Sequence, residues 1–116
     1  MRRLEFDQFE FPNASTEEHL VVTLEERGRS PSKDIRSFVA RCDEGTRLSE
    51  ELNGAAMLPL AASHVRFLDY LETFAQVPKT EIRQARVARL SWEEDEETAV
   101  VETPRFFVLF RWSASA

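Results

Sequence analysis

Apolar and polar positions alternate in some stretches of the chain and recur every three to four residues in others. Residues 3–11 read Arg-Leu-Glu-Phe-Asp-Gln-Phe-Glu-Phe, with Leu4 and Phe6 in one parity and Phe9 and Phe11 in the other. A strand with a bulge at Asp7-Gln8 puts all four on one face, and Pro12-Asn13 ends it. Residues 15–28 carry two signals. Ser15 with Glu18 forms a capping box and Gly28 a stop, yet Leu20-Val21-Val22-Thr23-Leu24 is rich in β-branched residues and alternates. The strand reading, over 19–26, is preferred.

Residues 30–45 read as a helix opened by Ser30-Pro31 and closed by Gly45, with Ile35, Phe38, Val39 and Cys42 on one stripe. A competing hairpin of 19–26 with 34–42 would put Arg36 on the same face as Phe38, Ala40 and Cys42. Thr46 to Asn53 forms a short helical stretch with Leu48 and Leu52 one turn apart, ended by Asn53-Gly54. Residues 55–59 are a small-residue linker, and Pro59 opens the next helix. That helix, over 60–76, has the clearest spacing: Leu60, His64, Phe67, Leu68, Leu71, Phe74 and Ala75 fall on one face, and Val77-Pro78 ends it.

The last third reads as β. Residues 82–92 and 98–112 form a hairpin whose tip is Glu93-Glu94-Asp95-Glu96-Glu97. Phe106, Val108, Phe110 and Trp112 share one face of the final strand, and Phe107 and Leu109 take the other. A strand apolar on both faces is central or covered on both sides. Pro104 marks a kink or a start within it. The expected fold class is therefore α+β. An antiparallel sheet of about four strands carries one long amphipathic helix, 60–76, on one face. One domain spans 1–116, with 113–116 a frayed tail.

Length and charge narrow the function. A chain of 116 residues fits one domain and excludes a two-domain enzyme or a full α/β barrel. The net charge of −6 does not attract phosphate backbones, so no direct nucleic-acid partner is expected. With 3 glycines the chain has few loops able to cradle phosphate. Its positive charge is nearly all Arg, which suits bidentate interface pairs and also follows from biased genome composition. The lone Cys42 cannot form an internal disulfide, and no signal segment or long apolar run is evident. A cytoplasmic chain with no membrane association is expected. Asn13-Ala14-Ser15 matches a glycosylation sequon but reads as a turn and cap.

Candidate chemistry is sparse. Cys42 lies on an apolar stripe as a small hydrophobe, His64 on the apolar face of its helix as a core or boundary residue, and His19 beside Glu17 and Glu18 at the surface. No catalytic set is assigned, and no metal or other cofactor is expected. The pentad 93–97 has no glycine and no converging spacing, so it reads as a solvated tip or an acidic docking patch. Arg83, Arg86 and Arg89 are the main basic cluster and lack the glycines of a phosphate site. The aromatic residues of the last strand read first as core. Phe107 and Leu109, if left uncovered, would form a partner-binding patch.

Three functions follow. The leading expectation is a non-enzymatic protein-binding module (an adaptor, assembly component, chaperone or inhibitor), with a protein partner or self-association. It would act through Phe107, Leu109, Glu93, Glu94, Asp95, Glu96 and Glu97. The second is a small enzyme or ligand binder with a pocket between the sheet and helix 60–76, using His64 and Tyr70. The third is an acidic mimic of nucleic acid that blocks a basic groove.

Overall fold

A computed structural model of the chain describes residues 1–7, 17–29, 32–59 and 68–115. Its centre is an antiparallel sheet of six strands: β1 (Arg2–Asp7), β2 (Glu17–Glu26), β3 (Leu58–Pro59), β4 (Arg86–Trp92), β5 (Glu96–Glu102) and β6 (Phe106–Ser115). The order across the sheet is β1-β2-β6-β5-β4-β3. Among the described residues four short α-helices accompany it: α1 (Ile35–Ala40), α2 (Gly45–Asn53), α3 (Leu68–Ala75) and α4 (Lys79–Arg83).

This corrects the expected architecture of about four strands under one long helix. Residues 98–112 hold two strands, separated by a turn at Thr103–Arg105. Thr103 N–H donates to Phe106 O at 2.9 Å, and Phe106 N–H donates to Thr103 Oγ1 at 2.9 Å. Pro104 cannot donate to a ladder, and it stands in that turn. The buried Glu81 clamps the turn from outside by accepting Arg105 N–H at 2.8 Å. The sixth strand, β3, comes from the segment read as a linker.

The helices differ for local reasons. Asp34 caps α1 by accepting Ser37 N–H at 2.8 Å, so the start lies beyond Ser30 and Pro31, which fall outside the described residues. Gly45 opens α2 rather than closing a helix over 30–45. A Cβ there would meet Ala40 O at 2.4 Å and Val39 O at 2.5 Å, so the two helices approach too closely for any side chain. Of helix 60–76, residues 60–67 lie outside the described residues. α3 ends where the fold demands it: Gln76 is left-handed (φ 59°), and Val77 N–H reaches back to Leu71 O at 2.9 Å. Ile82 and Arg83 belong to α4, so the strand read over 82–92 begins at Arg86. The strand expected over 19–26 falls within β2. β1 ends at Asp7, and the remainder of the expected bulged strand lies outside the described residues.

Period-two alternation gives β5 and β6 two buried faces, whereas β2 is fully buried only on the face of Leu20, Val22 and Leu24. Leu20, Val22 and Leu24 of β2, with Val108, Phe110 and Trp112 of β6, pack beneath Leu71, Ala75 and Val77. On the opposite face Phe107 and Leu109 of β6, Val100 of β5 and Ala88 of β4 pack beneath Phe38, Val39, Leu48 and Leu52. Helices therefore cover both faces rather than one. β6 lies between β2 and β5 and pairs with β2 from Glu17↔Ser115 to Glu26↔Phe106, which is why it is apolar on both sides. Burying each large apolar side chain contributes roughly 1.5–3 kcal/mol, so this double layer supplies most of the driving force for folding.

Candidate functional site

The α1–α2 face is not covered along its whole length. Reading β6 along that face gives Phe107, Leu109, Arg111 and Ser113: two apolar residues, then two polar ones. The ladders carry the same change across the sheet. One row runs Glu5, Val21, Arg111, Thr98, and the next runs Asp7, His19, Ser113, Glu96. The helices stop short of these rows because the chain turns sharply at Cys42–Gly45, where the close approach at Gly45 fixes the corner. An open cleft of about 510 Å³ remains. Val21, Thr23, Leu109 and Arg111 line it from the sheet, and Asp43, Glu44 and Arg47 from the corner.

Ion pairs tie the corner to the sheet. Glu44 is itself left-handed (φ 59°), a conformation costly for a residue with a Cβ. Its carboxylate accepts from Arg111 and, at 3.2 Å, from Arg47. Those guanidiniums, Arg111 first, hold the Glu44 carboxyl below its ordinary range. Arg47 also donates to Glu51 at 2.8 Å. Arg3, on β1, donates to Asp43 and to Glu5, each at 2.8 Å. His19 Nδ1 is joined to the Asp7 carboxylate across the β1–β2 ladder. Each arginine of the cleft is thus met by at least one carboxylate.

Cys42 also lines the cleft but is not poised for nucleophilic chemistry. Burial first, then Glu25 and Asp43, push its thiol up to about 11, and Sγ donates to Phe38 O at 3.4 Å. A thiol held protonated at neutral pH is a poor nucleophile. Among the described residues no group of three His, Cys, Asp or Glu side chains is placed to hold a metal ion.

The residues expected to form a partner-binding patch are dispersed. Phe107 and Leu109 are 1% and 2% exposed. Phe107 stacks on Phe38 at 5.6 Å with Arg27 4.8 Å over its ring, so it presents no exposed aromatic surface. Glu93, Glu94, Asp95 and Glu96 are exposed at the β4–β5 tip, which is closed by Glu93 N–H donating to Glu96 O at 2.7 Å. Glu97 is 5% exposed and lies 3.5 Å from Arg89, so it belongs to the sheet rather than the tip. Glu96 lines the cleft and joins the tip to it. Tyr70 is on the other face, against Phe6 at 4.8 Å and Phe74 at 5.5 Å, and does not line the cleft. His64 lies outside the described residues.

The cleft residues missed from the sequence include Arg3, Val21, Thr23, Asp43, Glu44, Arg47 and Arg111. One signal was legible: the switch from Phe107-x-Leu109 to Arg111-x-Ser113 along one face of one strand. No family model matches the chain, and no curated protein or solved structure matches it at a significant level. No helix among the described residues is long and apolar enough to cross a membrane.

Proposed function

We propose that the chain is a non-enzymatic protein-binding module whose cleft receives an extended, Arg- or Lys-bearing segment of a partner protein. The imbalance of charge around the cleft carries this reading. Arg3, Arg47 and Arg111 are engaged by carboxylates, whereas Glu93, Glu94, Asp95 and Glu96 have no cationic partner among the described residues. A cationic segment is therefore attracted first to the tip and then guided along the cleft, where the half-buried Val21 offers apolar contact and Thr23 hydroxyl hydrogen bonds. Such recognition gains more in association rate and selectivity than in raw affinity, and it weakens with salt.

The test is an NMR titration with a short peptide of alternating arginine and serine, beside a control of alternating glutamate and serine. Saturable shift changes at the amides of Val21, Thr23, Thr98 and Arg111, absent with the control, support the reading. Changes confined to the tip, or none, overturn it.

A further inference from the structure

We propose that the chain pairs with a second copy of itself through β1, edge to edge, so that two sheets join into one. The two edges of the sheet differ. β3 is two residues long and ends in Pro59, which has no N–H to offer. β1 has six residues and, among the described residues, pairs only with β2. Among the described residues no strand pairs with its outer row of backbone donors and acceptors.

The side chains of β1 select its own copy. Antiparallel pairing about Leu4 sets Leu4 against Leu4 and places each Arg3 opposite Glu5 of the second copy, giving two opposite-charge pairs. A shift of two residues sets Glu5 against Glu5 and is opposed by like charge. A shift of one residue puts the two α3 faces on opposite sides and is excluded by the pleat. Alternating charge of this kind repels most foreign apolar strands, yet this order is complementary to itself. In the single chain Arg3 already donates to Glu5 at 2.8 Å, so pairing exchanges one carboxylate for an equivalent one.

The α3 face adds apolar contact at the same edge. Phe6 packs against Phe74 with ring centroids 5.0 Å apart, and Phe74 is 53% exposed. In the joined sheet the aromatic clusters of the two copies flank the Leu4 pair. The two-fold axis is perpendicular to the sheet, so both clefts open on the same side. The pairing itself does not depend on what the clefts bind.

Sedimentation velocity over a range of concentrations tests the proposal. The wild type is expected to shift from 13.4 kDa to twice that mass as concentration rises. R3E and E5R should each self-associate about tenfold or more weakly, because like charges then face each other twice. Mixed in equal amounts they should associate again, since positions 3 and 5 are both acidic in one variant and both basic in the other. A wild type that stays monomeric, a variant that associates as the wild type does, or a mixture that does not recover overturns the proposal. Hydrogen exchange on the wild type is independent of how the variants fold. Protection of the residue 3–6 amides that grows with concentration supports the pairing, and concentration-independent protection overturns it.

Discussion

Phe107 and Arg111 lie on the same face of the same strand, four residues apart, and have opposite roles. Phe107 is sealed beneath α1 and α2. Arg111 opens onto a cleft and bonds a carboxylate from the corner that joins those helices. What separates them is where the helical layer ends, and that is set by a single close approach at Gly45. The covered half of the face stabilises the fold by burying apolar area. The open half is held by exposed ion pairs, which add little stability but fix the shape of a surface.

Substitutions should separate the two halves sharply. F107A removes a fully buried ring stacked on Phe38 and should cost about 3–5 kcal/mol in urea unfolding. R111A, in the open half, should stay within about 0.5 kcal/mol of wild type, as surface changes usually do. Equal losses at the two positions would erase the distinction. G45A should come next. Its Cβ has no room between the helices, and forcing it in should cost about 1–3 kcal/mol while moving the corner off the sheet. The shift of the Glu44 and Arg111 resonances would report that movement.

D34A should cost about 1 kcal/mol, as the loss of a helix cap does. The Ser37 N–H bond, chiefly, holds the Asp34 carboxyl below its ordinary 3.8. The contribution of this group is therefore complete above that value and lost as pH falls through the lowered one. The stability gap between wild type and D34A should close over that acidic window. E44Q should have the smallest effect on unfolding. Arg111 and then Arg47 hold Glu44 below its ordinary 4.5, so its contribution is likewise present above 4.5 and lost on acidification through the lower value. Urea midpoints of E44Q and wild type should differ slightly at neutral pH and converge in acid.

Much of the sheet was legible because alternation is a local signal. The strand over 19–26, the hairpin with its acidic tip and the two-faced final strand all follow from period-two patterns. The rest was decided by contacts between distant residues. Pro104 marked a break, but pattern alone did not show that the chain reverses there, because the turn is clamped by Glu81 from another element. Gly45 looks like a helix stop and is instead the only residue small enough for the start of the next helix. The apolar character of Phe107 and Leu109 was plain, but the first of the helices that cover them comes from 35–40, where the sequence supported both helix and strand. The cleft was the least legible part. It draws on β1, β2, β5, β6 and a left-handed Glu44, and no stretch of sequence holds more than a fraction of it.

The most direct test of the open half as a binding surface is a charge-neutral block. T23W fills the cleft from its floor and leaves the acidic tip Glu93–Glu96 unchanged. Calorimetric titration of the arginine–serine peptide into T23W should give no measurable binding, against saturable binding to the wild type. Binding to T23W equal to that of the wild type would place recognition at the tip alone and contradict a role for the cleft.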